Sequence, residues 1–301
     1  MDTKHELKTV QLPNGETMAY REAGDPSNSK VLVLVHGAMG SSAVWIHLFP
    51  QFTDSFRVIA PDLRGHGQTT FVNPQKSHDD TAEDLKLLFD AIGLKKIYFL
   101  GWSMGGGVGM KFTANYPEYV EKLILHNSMG VHGVCYTKIN EAGQPTTERI
   151  SDEEECMNHP HPIFLSTLIK TKNVDQIKVL HEKRIYCGRN QPPTDRLELS
   201  IEDWLNCRAS QRLSYLANIY NVTDEDHAGG KGTNQISKIK CPVLIIHGDK
   251  DVIVPVDEAK RIKELIGDNA ELKTFPEGGH VVLEDYPEEF VQLTRDFFLA
   301  A

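Results

Sequence analysis

A serine hydroxyl, an imidazole and a carboxylate, set far apart along 301 residues, are the side chains here best suited to act together. The serine is Ser103, in Gly101-Trp102-Ser103-Met104-Gly105. This G-x-S-x-G stretch follows the apolar run Ile97 to Leu100 and opens a helical stretch from Gly106 to Asn115, the strand–turn–helix context of a nucleophile elbow. A turn tight enough to lift the hydroxyl clear leaves no room for β-carbons two residues before and two after it, hence the paired glycines. The helix behind the serine aims its dipole and unsatisfied N–H groups at the reacting centre.

A serine hydroxyl is a weak nucleophile until a base takes its proton. Of the 13 histidines, His280 is the best placed, because Pro276-Glu277-Gly278-Gly279-His280 forms a glycine-rich loop just past a late strand. The imidazole in turn needs a carboxylate to fix its tautomer and stabilise its charged form. Asp249 and Asp251 both follow the apolar run Val243 to Ile246, giving the chain order Ser, Asp, His. Asp251 is the choice, since it precedes Val252-Ile253-Val254 and can be partly buried; Asp249, beside Lys250, suits capping or solvating the turn. An acid one strand earlier would also serve, but Leu125-His126-Asn127-Ser128 offers none. Two backbone N–H groups are expected to hold an oxyanion, that of Met104 after the serine and that of Ala38 in the loop His36-Gly37-Ala38-Met39-Gly40. Met39 and Trp102 are candidates for the substrate pocket, with Phe71 a further one by proximity; Trp102 is equally suited to packing against the sheet.

Two other clusters carry less. Cys156-Met157-Asn158-His159-Pro160-His161 has a proline between its histidines and no fourth ligand, so no metal is expected there. Gly229-Gly230-Lys231-Gly232-Thr233 lacks the P-loop spacing and does not follow a strand, so no nucleotide is expected there.

The elements that position these groups are legible as a rhythm. Residues 7–12 and 16–23 read as a hairpin turning at Pro13-Asn14-Gly15. Val31 to Val35, Arg57 to Ala60, Ile97 to Leu100 and Lys122 to Leu125 are short apolar runs suited to strands buried on both faces. The stretch Asp79 to Ile92 reads as an amphipathic helix ended by Gly93. Alternating strands and helices imply right-handed crossovers and a mostly parallel sheet flanked by helices. The rhythm stops after Asn127 and resumes with Val243 to Ile246, Glu271 to Phe275 and a closing helix from Pro287 to Leu299. The expectation is therefore an α/β core over 1–129 and 233–301, carrying a mostly helical cap over 130–232, with Ile201 to Tyr220 helical.

A net charge of −10 disfavours nucleic acid or an anionic membrane as a partner. No uncharged apolar run reaches the ~18–20 residues of a membrane span, and the polar start MDTKHELKTVQLPNG has no apolar signal core. Five widely spaced cysteines without a C-x-x-C read as free thiols in a reducing compartment, so a cytoplasmic location is expected.

Taken together, His36-Gly37, Asp62-Leu63-Arg64-Gly65-His66-Gly67, the elbow with Gly106, Gly248-Asp249-Lys250-Asp251 and Gly279-His280 resemble the α/β-hydrolase superfamily across the core. The resemblance implies a Ser-His-Asp hydrolase without metal or organic cofactor, and a structured loop near the site mouth at Asp62 to Gly67. Within the superfamily the sequence is similar to 3-oxoadipate enol-lactonases. It most resembles the Bacillus-type intracellular poly(3-hydroxybutyrate) depolymerases, through Gly-Trp-Ser-Met-Gly, its length and the insertion beginning Tyr136-Thr137-Lys138. That likeness implies an ester hydrolase acting on a short-chain polyester. The alternatives are a small-molecule carboxylesterase or lactonase and, further off, a perhydrolase or C–C bond hydrolase.

Overall fold

The structure is a computed structural model, described for residues 7–300. Strands β1 (Leu7–Gln11) and β2 (Thr17–Ala23) form the expected hairpin. Its turn is closed by Leu12 and Gly15 backbone N–H groups donating to the carbonyls of Glu16 and Leu12. There follow β3 (Val31–Val35), a 3₁₀ turn over Ser42–Gln51, β4 (Arg57–Pro61), α1 (His78–Ala91), β5 (Ile97–Trp102), α2 (Met104–Asn115) and β6 (Val120–His126). Gly93, at a φ of 76°, ends α1 as its lack of a β-carbon allows.

A long segment then leaves the sheet. It contains β7 (Thr137–Ile139), β8 (Pro145–Arg149), α3 (Glu153–Met157), α4 (Pro160–Lys170), α5 (Val174–Leu180), α6 (Thr194–Asn206) and α7 (Ser210–Ile219). The chain returns through β9 (Val243–Gly248), α8 (Val256–Ile266), β10 (Ala270–Phe275), the single turn α9 (Val282–Asp285) and α10 (Pro287–Leu299).

Eight strands make one sheet in the order β1-β2-β4-β3-β5-β6-β9-β10, antiparallel at β1–β2 and β2–β4 and parallel elsewhere. Central position explains composition. Every residue of β3 and of β9 is buried, which requires apolar side chains on both faces instead of alternation. Parallel pairing carries the ends of β3, β5, β6 and β9 to one edge of the sheet, where the loops bearing Ala38, Ser103, Asn127 and Asp251 emerge together.

Two features differ from the sequence expectation. The ribbon β7–β8 was not anticipated, because its strands are largely exposed on both sides and so lack the apolar alternation that marks a half-buried strand. The expected helix over Ile201 to Tyr220 is two helices. At the break the Arg208 N–H donates to the Gly65 carbonyl across the molecule (2.9 Å), where a continuous helix would have bonded it internally. The Arg208 side chain reinforces this with bonds to the carbonyls of His66, Gly67 and Thr69.

Candidate active site

Ser103 is the one residue between β5 and α2, with φ 55° and ψ −119°. That conformation is open to few L-residues and persists only where the surroundings over-determine it. Here they do: the Ser103 N–H donates to the His126 carbonyl (3.0 Å), and its own carbonyl accepts from the N–H groups of Gly106 (3.0 Å) and Met129 (2.9 Å). The flanking glycines are sterically required. A β-carbon at Gly101 would overlap the Gly105 carbonyl, and one at Gly105 would lie 2.6 Å from the His36 carbonyl oxygen.

His280, in the loop after β10, is almost wholly buried. Its Nε2 lies 2.9 Å from Ser103 Oγ and its Nδ1 lies 2.7 Å from Asp251 Oδ2. With the proton on Nδ1 the ring donates to Asp251, which leaves Nε2 free to accept from the serine hydroxyl. Asp251, in the loop after β9, is also buried. Its Oδ2 accepts additionally from Asn127 Nδ2 (2.8 Å), and its Oδ1 accepts from the backbone N–H groups of Ile253 (2.8 Å) and Val254 (2.9 Å). Burial alone would raise this carboxyl; the attraction of His280 and the hydrogen bonds outweigh it and hold the group at about 2. The neighbouring candidate Asp249 is exposed, and its backbone N–H is used on the Phe275 carbonyl.

On the other side of Ser103, the Gly40 N–H donates to the Gly37 carbonyl and closes a tight turn with Ala38 and Met39 at its centre. Met39 takes a φ of 60°. Neither the Ala38 N–H nor that of Met104, in the unsatisfied first turn of α2, meets an acceptor among the described residues. His36 braces this loop: its Nδ1 donates to the Gly37 carbonyl (2.8 Å) and its Nε2 accepts from the Leu63 N–H (3.0 Å). Burial lowers its pKa to about 4, so it stays neutral as both bonds require. Asp62 fixes the adjoining loop by accepting from the N–H groups of Ser42 and Gln68.

Trp102 packs against the base loop. Its Nε1 donates to the His280 carbonyl (2.9 Å), and its ring borders a small cavity with Trp45, Tyr186, Val281 and Leu283. Met39 is buried. Phe71 is not brought to this centre; it lines an open groove with Met157, Ile169 and Cys207, which Ser103, Asp251 and His280 do not border. His159 and His161 pack against Tyr136, and among the described residues no group of three potential ligands is placed to hold a metal ion. The residue that motif reasoning missed is Asn127. Fully buried, with a φ of 42°, it spends its two amide protons on Asp251 Oδ2 and the Gly279 carbonyl (3.0 Å) and so joins the acid and base loops. Its one sequence signal is its place just past β6, at the edge where strand ends converge.

This sheet order, with a serine elbow at the end of its central parallel strand, defines a class, and the chain has the α/β-hydrolase fold. The alpha/beta hydrolase fold model matches residues 30–145, and the dienelactone hydrolase family model matches residues 229–295. Among relatives, the pimeloyl-[acyl-carrier protein] methyl ester esterase of Nitrosomonas europaea is 28% identical over 275 residues, covering 88% of this chain and 94% of that one. The 2-hydroxy-6-oxo-6-(2'-aminophenyl)hexa-2,4-dienoic acid hydrolase of Metapseudomonas resinovorans is 26% identical over 289 residues, covering 94% and 88%. The esterase EaEST from Exiguobacterium antarcticum superposes with a TM-score of 0.74, covering 97% of this chain and 98% of that one; at 19% identity this is a likeness of fold. Among the described residues no helix is long and apolar enough to cross a membrane.

Proposed function

We propose that the protein is a serine carboxylic-ester hydrolase acting on small-molecule esters through an acyl-enzyme. The observation that carries this reading is the unbroken line of hydrogen bonds from Asp251 through His280 to the strained Ser103. Ser103 attacks the ester carbonyl while His280 Nε2 takes its proton, and Asp251 stabilises the imidazolium that forms. The Ala38 and Met104 N–H groups, unpartnered among the described residues, are free to receive the oxyanion. His280 returns the proton to the leaving alcohol, and water repeats the sequence to release the acid.

The substrate class rests on how the site is covered. The segment over residues 130–232 acts as a cap, held to the core by Arg208 on the 65–69 loop, by Ser41 Oγ donating to Asp203 (2.8 Å) and by Arg196 on Glu284 (2.9 Å). A pinned cap over a buried base suits a small ester; one relative is by name a pimeloyl-[acyl-carrier protein] methyl ester esterase, which supports ester hydrolysis as the reaction. The polyester implied by the depolymerase resemblance is the second choice, since a long polymer chain would have to displace those contacts. A C–C bond hydrolase has the support of the dienoic acid hydrolase relative and of the shared Ser-Met-Gly-Gly elbow.

The test offers purified protein a short-chain p-nitrophenyl ester, an enol-lactone, a 2-hydroxy-6-oxodienoate and amorphous poly(3-hydroxybutyrate) granules side by side. Rapid ester turnover that disappears in Ser103→Ala supports the proposal. Hydroxybutyrate release or dienoate cleavage with negligible ester turnover overturns it in favour of the corresponding alternative.

A further inference from the structure

Three hydrogen bonds fix the backbone on either side of His280. The His280 carbonyl accepts from Trp102 Nε1 (2.9 Å), the Gly279 carbonyl accepts from Asn127 Nδ2 (3.0 Å), and the Gly279 N–H donates to Asp285 Oδ2 (2.7 Å). Asp285 lies five residues beyond His280, at the end of α9, and is buried. A buried carboxylate is costly unless its oxygens are satisfied. Its second oxygen is used outside the core: Oδ1 accepts from the Asn190 N–H (2.9 Å) in the inserted segment.

That segment fits closely around the same carboxylate. Asn190 Nδ2 donates to the carbonyls of Glu284 (3.1 Å) and Asp285 (3.0 Å). Gly188 lies so near that a β-carbon there would overlap both Asp285 oxygens. Next to it, Cys187 Sγ is 3.5 Å from the carbonyl of Lys250, the residue before Asp251. Residues 187–190 therefore rest on the loops of both the acid and the base, and one side chain is bonded to each side of the seam.

We propose that Asp285 is a positioning residue that couples seating of the inserted segment to alignment of His280 on Ser103. The inference rests on the reading of His280 as the base. Charge-assisted bonds to backbone N–H groups are short and directional, so a single carboxylate can hold two loops in register. Its loss lets the Gly278–Gly279 peptide rotate and, through Gly279, Nε2 drift from Ser103 Oγ. Misplacement of a reacting group by ~1 Å is enough to cost ~10²-fold in rate.

The experiment pairs Asp285→Asn with Gly188→Ala in the full-length enzyme. The amide can accept from one N–H but turns its NH₂ toward the other, whereas the alanine pushes the seam apart from the other side with Asp285 intact. Both variants are expected to lose kcat by ~10–10²-fold with KM for a short p-nitrophenyl ester within about threefold of wild type. Both should also lose the downfield proton resonance of the His280 Nδ1–Asp251 hydrogen bond. Should Asp285→Asn not fold, Gly188→Ala alone decides. Folded variants that lose thermal stability but keep wild-type kcat and the downfield resonance would reduce Asp285 to a structural role and overturn the proposal. Ser103→Ala and His280→Ala run in parallel: turnover surviving in these overturns the reading of the site itself, whatever Asp285 does.

Discussion

Replacing Asp251 by Asn changes few atoms and removes the one charge His280 is bonded to. The geometry says how the loss arises. Asp251 Oδ2 lies 2.7 Å from His280 Nδ1 and also accepts from Asn127 Nδ2, so an amide NH₂ at that position faces two donors. The ring escapes the clash by moving its proton to Nε2, the tautomer that cannot accept from Ser103. With the orienting and electrostatic roles both lost, the expected fall in kcat is ~10⁴-fold, or about 5 kcal/mol of transition-state stabilisation. The substitution has a separate signature in stability. The Asp251 carboxyl is held at about 2 against an ordinary 3.8. A lowered folded-state pKa stabilises the fold above pH ~4 and loses that stabilisation as pH falls toward ~2, by about 2 kcal/mol. In Asp251→Asn that acid-side loss should shrink. The assay is kcat on a short p-nitrophenyl ester together with urea unfolding at several pH values. Retention of more than about a tenth of wild-type kcat by Asp251→Asn, with Asp249→Asn inactive, would assign the acid to Asp249 instead.

Other outcomes stem from the same contacts. Asn127→Ala removes two hydrogen bonds, one to a charged group, and should cost about 2 kcal/mol in urea unfolding with a lower kcat; an unchanged variant would deny Asn127 its place between the loops. Gly105→Ala forces a β-carbon against the carbonyls of Val35 and His36, so it should destabilise by ~3 kcal/mol or more and yield little folded protein. Burial lifts the Asp203 carboxyl to about 7 against an ordinary 3.8, with Asp62 adding to the rise. A raised folded-state pKa stabilises below pH ~4 and is lost as pH climbs through ~7, so Tm should drop between pH 5 and pH 8. Asp203→Asn should flatten that slope in a thermal melt.

The sequence carried the sheet and the elbow because both are local statements. A five-residue, valine-rich run such as Val31–Val35 is short for a helix and suits a doubly buried strand, and Gly101 and Gly105 mark a close approach that any other residue would block. Asp251 was separable from Asp249 because an apolar stretch beside an acid signals burial, and the structure sets Asp251 against His280. What was hidden is non-local. Asn127 and Asp285 matter through backbone groups at 279, far along the chain, and no spacing encodes such a pairing. The break in the helix at Arg208 was equally invisible, since its cause is a carbonyl at Gly65. Phe71 was grouped with the pocket by position in the chain and lies instead on an open groove.

The most direct measurement of the central claim is intact-mass and peptide mapping after exposure to a fluorophosphonate, which reacts with an activated serine hydroxyl. A single adduct on Ser103 is expected, absent in Ser103→Ala and much slower to form in His280→Ala. An adduct on another residue, or full ester turnover by Ser103→Ala, would contradict the claim.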